Sequence, residues 1–131
     1  MIRLEIPLLP KTWRAAHVGI RKVFDVRSRY KQDCVLLLKS QYRGPTITGA
    51  VALTFEFNMN IPKATNRMKR AEMIDGVIHD TRHFDLTNLV KLHEDALERA
   101  GILKNDSQVV ECHARKFYSE NPRTVITIME L

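Results

Sequence analysis

Two aspartates and a lysine, Asp85, Lys91 and Asp106, form the part of the sequence best suited to chemistry. Asp85 precedes a run of apolar residues at helical spacing. Asp106 follows Gly101, where that helix should end because glycine adopts a left-handed conformation at little steric cost. Carboxylate oxygens are the ligands that Mg²⁺ prefers in proteins, and two or three of them can hold the ion beside a phosphate. The pattern indicates a chemical site built on one helix and the turn after it.

The helix that would position these residues has an apolar side and a polar side. The residues that should face a core are Leu86, Leu89, Val90, His93, Leu97 and Ala100. Asp85 stands where an N-cap belongs, since its carboxylate can accept hydrogen bonds from the amides of the first turn. Thr87, Lys91 and Asp95 are each four positions apart and therefore form a polar line beside the apolar side. We expect a helix of roughly three to four turns.

The remaining pattern predicts an α+β protein. Alternating apolar residues predict strands at residues 2–7, 48–59, 108–118 and 123–131. Helical spacing predicts a second main helix that begins near Ser28 and ends at Gly44, and a short helix at residues 68–73. Helices packed against one sheet are the usual solution for such an order of elements. We expect a single domain over residues 1–131.

The overall charge is compatible with a nucleic-acid partner but does not establish one. Lysine and arginine number 21 against 15 acidic residues, which gives a net charge of +6 and a pI near 9.6. The two cysteines, Cys34 and Cys112, have neither a metal-binding nor a disulfide-rich pattern. The start of the chain lacks the apolar region of a signal peptide, and no apolar run approaches membrane-spanning length. We therefore expect a soluble protein of the cytoplasm.

The stretch from His83 to Gln108 resembles the RusA family of Holliday junction resolvases, which are common in phages and prophages. The family pattern is a helix start with Asp-x-Asp-Asn-Leu followed by a lysine, then Asp-Ala-Leu, then Asp-Asp-x-Gln after the helix. The corresponding segments here are residues 85–91, 95–97 and 105–108. Thr87 replaces the second aspartate, and Asn105 replaces the first acid of the last element. Weaker similarity extends to residues 7–10 with Arg14, and to residues 116–123.

The resemblance implies a metal-dependent endonuclease that cleaves four-way DNA in recombination and repair. It also implies a RusA-like domain, with a mixed sheet of about four strands and two main helices. It assigns Asp85 and Asp106 to the metal, which would be Mg²⁺ or alternatively Mn²⁺. Lys91 matches the family's essential lysine, which could neutralise charge on the transition state. Asn88 and Asp95 match motif positions whose side chains would either support the fold or hold the metal ligands in place.

The resemblance further implies a homodimer with a positively charged, junction-binding face. A two-fold dimer fits a two-fold symmetric junction, because paired cuts need two matched sites. The residues expected to contact DNA are Arg14, Lys63, Arg67, Lys69, Arg70 and Arg82. We expect it to act in a bacterial or phage-infected cell, without a membrane partner.

Thr87 leaves a second class of function open. A neutral hydroxyl in place of a carboxylate should weaken metal binding, although Glu94 or Asp80 could restore the missing charge. The alternative is therefore a RusA-like protein that binds branched DNA or another partner without cleaving it.

Each candidate residue also has a purely structural interpretation. Asp85 would serve as a helix cap, and Asp106 as a turn residue beside polar neighbours. Lys91 and Asp95 would form a solvated pair one turn apart on the helix. The basic residues from 63 to 70 would belong to an ordinary solvent-exposed loop. His79 and His83 have the spacing of some zinc ligands, but no glutamate lies between them and we expect no zinc site.

Overall fold

The computed structural model describes residues 1–12, 26–82 and 84–131, with the side chains of residues 26–28 excepted. The strands within these ranges are β1 (Ile2–Ile6), β2 (Val51–Asn60), β3 (Val109–Ser119) and β4 (Arg123–Glu130). The helices are α1 (Val26–Gln41), α2 (Arg67–Ile74) and α3 (Leu86–Arg99). A 3₁₀ turn at Asp106–Gln108 leads directly into β3.

The four strands form one mixed sheet in the order β1-β4-β2-β3. β4 runs antiparallel to both of its neighbours, whereas β2 and β3 are parallel. Parallel neighbours need a crossover connection, and here that connection contains α2 and α3. The expected α+β fold, with a mixed sheet of four strands, is therefore confirmed.

The core lies between the sheet and the two longer helices, α1 and α3. The sheet contributes buried side chains from β2, which are Val51, Leu53, Phe55 and Phe57. From the helices come Tyr30, Cys34, Leu38, Leu89, Leu92, Ala96 and Leu97. Burial of one apolar side of α3 fixes its rotation on the sheet, so its polar residues face outward. The two main helices are thus found where the sequence predicts them.

A buried tyrosine–histidine pair joins α1 to α3. The His93 ring contacts the Leu89 carbonyl through Nδ1 at 2.6 Å and the Tyr30 hydroxyl through Nε2 at 2.8 Å. Because a carbonyl only accepts, Nδ1 must donate, and the neutral ring then accepts the Tyr30 hydroxyl proton at Nε2. Burial lowers the pKa of His93 from 6.5 to about 4 and raises the pKa of Tyr30. His93 is therefore held neutral inside the core.

The third helix, α2, packs at the far end of β3 rather than in the main core. Met73 is buried there in a small cluster with Ile61 and Tyr118. The Asn66 side chain accepts a hydrogen bond from the Lys69 amide and begins the helix. Gly76 has a φ of +79°, a left-handed conformation that suits glycine after a helix end. The short helix predicted at residues 68–73 is therefore present.

Several predicted boundaries differ from the observed ones by one to three residues. The strand expected from residue 48 begins at Val51, because Ile47 before it forms an isolated bridge with Leu103 instead. The strand expected from residue 108 begins at Val109, since Gln108 completes the 3₁₀ turn. The helix expected near Ser28 begins at Val26. Among the described residues, no helix is long and apolar enough to cross a membrane.

Candidate functional site

Asp85 is the N-cap of α3, as its position in the sequence predicts. Its Oδ1 atom accepts a hydrogen bond from the Thr87 amide at 3.2 Å, and both side chains are exposed. Lys116 on β3 donates to the Phe84 carbonyl at 2.9 Å, which ties the start of the helix to the sheet. At the other end, Gly101 has a φ of +74° and α3 stops. Both helix boundaries predicted from these residues are confirmed.

Asp106 is held in place by a hydrogen-bonded turn. The Asn105 side chain accepts from the Ser107 amide at 2.8 Å, and the Gln108 side chain accepts from the Asn105 amide at 2.7 Å. The Gln108 amide nitrogen also lies 2.8 Å from the carbonyls of both Ile47 and Gly49. These bonds fasten the turn to the segment that leads into β2. Asn105 therefore has a capping role, which asparagine and aspartate fill equally well.

A pocket of about 540 Å³ lies where α3, this turn and α1 meet, and we call it the α3 pocket. Its lining residues are Lys31, Asn88, Lys91, Leu92, Glu94, Asp95 and Asp106. Two parts of the sequence motif thus meet here, since α3 carries Lys91 and the 3₁₀ turn carries Asp106. Asp85 and Thr87 do not line the pocket, although Asp85 precedes the lining residue Asn88 by one helical turn.

One carboxylate of the α3 pocket, that of Glu94, has a perturbed pKa. Burial raises the pKa of Glu94, and the negative charge of Asp106 raises it further. Burial also raises the pKa of the Cys112 thiol on β3, with a further contribution from Glu94. The half-buried Glu94 side chain thus lines the same pocket as Asp106.

Asp95 binds a lysine that sequence patterns did not indicate. Lys31 of α1 forms an ion pair with Asp95, and Arg99 approaches the same carboxylate at 3.4 Å. Burial lowers the pKa of Lys31, with a smaller contribution from the positive charge of Arg99. The Lys31 side chain is only 17% exposed. Asp95 thus holds a second lysine in the pocket that contains Lys91, instead of pairing with Lys91 itself.

The two acids that could compensate for Thr87 lie in different places. Glu94 lines the α3 pocket. Asp80 is buried, with 4% of its surface exposed, and its Oδ1 atom accepts from the Arg82 amide at 3.0 Å. Asp80 does not line the α3 pocket. The structure thus places one of the two candidates in the same pocket as Asp106.

Five of the six basic residues expected to contact DNA lie on or next to α2. Lys69 and Arg82 line a pocket of about 420 Å³ together with Tyr118, to whose hydroxyl Arg82 donates at 3.3 Å. Lys63 and Arg67 are exposed. The half-buried Arg70 contacts Glu120 at 3.2 Å, so part of its charge is already neutralised. Arg14 lies outside the described residues.

The α3 pocket provides oxygen donors that suit a hard cation. Among the described residues, no three His, Cys, Asp or Glu side chains are grouped closely enough to hold a metal ion. However, Mg²⁺ usually binds to proteins through one or two carboxylates and takes its other oxygens from water and phosphate. Asp106 and Glu94 supply two carboxylates, and Asn88 supplies an amide oxygen. The donor set therefore fits a magnesium-type site that is completed by a nucleic-acid phosphate.

Two comparisons with known proteins identify the family of this chain. The family model for the endodeoxyribonuclease RusA matches residues 14–129. The chain is also similar to the uncharacterized protein YqaN of Bacillus subtilis strain 168. The two are 39% identical over 108 residues, covering 80% of this chain and 75% of that protein. The chain therefore belongs to the RusA family of endodeoxyribonucleases, whose members act on branched DNA junctions and generally depend on a divalent metal.

Proposed function

We propose that the protein is a divalent-metal-dependent endonuclease that resolves four-way DNA junctions in recombination and repair. The observation that carries the proposal is the meeting of Lys91 and Asp106 in the α3 pocket, because these residues come from separate parts of the family motif. A carboxylate can help hold a divalent cation and a lysine can neutralise developing phosphoryl charge, so the pair suits metal-assisted phosphodiester hydrolysis.

The proposed chemistry divides between acids and lysines. Asp106 and Asp85 would hold Mg²⁺ or Mn²⁺, and the cap of α3 engages only one of the two Asp85 carboxylate oxygens. The bound cation would supply Lewis acidity at the phosphate and an activated water. Lys91 would neutralise the charge that develops on the phosphoryl oxygens. Lys31, held by Asp95, adds a second positive charge at the same pocket.

Binding of the junction would depend on the basic residues around α2. Lys63, Arg67, Lys69 and Arg82 have side chains that can reach DNA phosphates, whereas Arg70 would first have to release Glu120. Each phosphate contact releases counterions, so such a surface gives binding that does not depend on sequence. We propose that the working form is a homodimer, because a symmetric junction cut on paired strands requires two matched sites.

Thr87 favours a second candidate function, in which the protein binds junctions without cutting them. The replacement removes one negative charge from the family pattern, and Thr87 does not line the α3 pocket. The other departure, Asn105, has less weight because its side chain caps the turn. The nuclease stays the first proposal because Asp85, Lys91 and Asp106 are all retained.

A junction assay separates the two functions. Purified protein is mixed with a labelled four-way junction and with a linear duplex of the same arm sequence. Each mixture contains Mg²⁺, Mn²⁺ or a chelator. A nuclease should make paired nicks in the junction when Mg²⁺ or Mn²⁺ is present and none when the chelator is present. Shifted but uncut junction in both metals would refute the nuclease and support the binder.

A further inference from the structure

The pocket of about 420 Å³ beside α2, which we call the α2 pocket, has both basic and apolar lining residues. Lys69 comes from α2, whereas His79 and Arg82 come from the segment between α2 and α3. None of the described lining residues is acidic. The apolar part of the lining consists of Pro62, Ala64, Met73 and Ile78. A surface that only attracts DNA phosphates has no need of such an apolar part.

Burial separates the two kinds of lining residue. Lys69, His79 and Arg82 are exposed, so their polar ends can meet a ligand that arrives from solvent. Met73 is only 9% exposed and packs with Tyr118 in the small apolar cluster, against which Ile78 also packs. The apolar side of the α2 pocket is therefore part of the packed structure, and the positive charge lies on its solvent side.

We propose that the α2 pocket binds one unpaired nucleotide of the DNA junction, with the phosphate at Lys69 and Arg82 and the base against Met73 and Ile78. The inference rests on the proposed junction-binding function and names the ligand of this pocket. A base inside a duplex has its faces covered by its neighbours, so only an unpaired base can lay a face against an apolar surface. A branch point interrupts the stacking of the duplex and can supply such a base at a lower cost than a continuous helix.

The contacts of Arg82 support a phosphate at this place. Its backbone amide donates to Asp80 Oδ1 at 3.0 Å, and its guanidinium donates to the Tyr118 hydroxyl at 3.3 Å. A guanidinium has five N–H donors, so one bond to a neutral hydroxyl orients the group and leaves other donors and the charge for a phosphate. The ion pair of Arg70 with Glu120, in contrast, neutralises part of that arginine's charge. Arg82 is thus held in position without losing its charge to the hydroxyl.

The α2 pocket lies close to the start of α3. Arg82 precedes Asp85 by three residues, which can span at most about 11 Å. The same segment is tied to β3 twice, since Arg82 donates to Tyr118 and Lys116 donates to the Phe84 carbonyl. A nucleotide bound in the α2 pocket would therefore set the position of neighbouring DNA phosphates relative to Asp85.

Fluorescence of 2-aminopurine, an adenine analogue whose emission is quenched by stacking, tests this binding. The analogue is placed at each branch-point position of a four-way junction in turn, or in the middle of one arm, and the DNA is titrated with the parent protein in Ca²⁺. We expect the signal to rise at least twofold at one or more branch-point positions and to stay constant in the arm. No rise at any branch-point position of a fully bound junction would overturn the proposal, and this measurement needs no variant.

Two matched variants separate the base from the phosphate. Ala64→Phe adds a ring to the lining without changing the charge, and the control Ala71→Phe makes the same change at an exposed alanine of α2 that does not line the pocket. We expect Ala64→Phe to weaken junction binding about tenfold and to abolish the fluorescence rise, because the contact with the base is lost. Its affinity for linear duplex should change less than twofold, and Ala71→Phe should behave like the parent. Circular dichroism confirms that each variant is folded.

Arg82→Gln shows whether the pocket contacts only the DNA backbone. The variant should weaken binding of both junction and duplex, since a phosphate contact is lost from each. If Arg82→Gln weakens both while Ala64→Phe binds the junction like the parent, the pocket is a contact for backbone phosphates only and the proposal is overturned.

Cleavage by the parent in Mg²⁺ distinguishes failure of this inference from failure of the proposed function. A parent that cuts junctions without a fluorescence rise at the branch point would overturn this inference and leave the nuclease proposal standing. A parent that gives the rise but does not cut would support this inference and the binder. A parent that neither binds nor cuts junctions would overturn both proposals.

Discussion

Acid should destabilise the protein through one buried side chain, His93. Burial lowers its pKa from 6.5 to about 4, so between these values the unfolded chain takes up a proton that the folded chain does not. Stability therefore falls as the pH drops through this window and is unaffected by His93 above it. With about 1.4 kcal/mol per pH unit, the loss attributable to His93 approaches about 3 kcal/mol near pH 4. A loss of this size is a large part of the stability of a small domain.

Urea unfolding followed by circular dichroism at pH 7.5, 6.5, 5.5 and 4.5 measures this loss. Carboxylates also titrate at the acid end, so the comparison is between the parent and His93→Gln, which cannot gain the proton. We expect the parent to lose about 2 to 3 kcal/mol more than this variant between pH 7.5 and 4.5. His113→Gln removes an exposed histidine of β3 and should keep the parent's slope. Equal pH slopes for the parent and His93→Gln would refute the assignment of His93 as a neutral core residue.

Two further predictions concern the first turn of α3 and the basic surface. Asp85→Asn should reduce cleavage at least tenfold in single-turnover assays while junction binding in Ca²⁺ is kept, because asparagine still caps the helix but loses the charge; cleavage at the parent rate would exclude Asp85 from the metal site. Lys69→Ala should reduce the slope of log affinity against log salt by about 0.9 per protomer. The control Lys39→Ala, at the end of α1, should leave the slope unchanged, and equal slopes for both variants would place the DNA surface elsewhere.

The parts of the fold that depend on local chemistry could be predicted from the sequence. Asp85 as the N-cap and Gly101 after the last turn mark the two ends of α3 where expected, since each acts on the residues next to it. The alternation in β2 likewise predicts a strand whose apolar side is buried. These signals require no knowledge of what lies across the molecule.

The parts of the site that depend on distant contacts could not be predicted. Lys31 reaches Asp95 only because α1 packs beside α3, and nothing in the residues around position 31 signals this. Glu94 is a candidate from the sequence, but its place in one pocket with Asp106 depends on how Gln108 fastens the turn to the segment before β2. Asn105, a departure from the family pattern, is explained by its cap only once the turn is seen.

The choice between nuclease and binder depends above all on Asp106. Single-turnover cleavage of a four-way junction in Mg²⁺ should be compared for the parent, Asp106→Asn and Asp33→Asn, the last being an exposed acid of α1 outside the α3 pocket. We expect Asp106→Asn to cut at least a hundredfold more slowly, equivalent to about 3 kcal/mol of transition-state stabilisation, while its affinity for the junction in Ca²⁺ is unchanged or tighter. Asp33→Asn should cut at the parent rate. If Asp106→Asn is folded, binds the junction and cuts as fast as the parent, the α3 pocket is not the nuclease site.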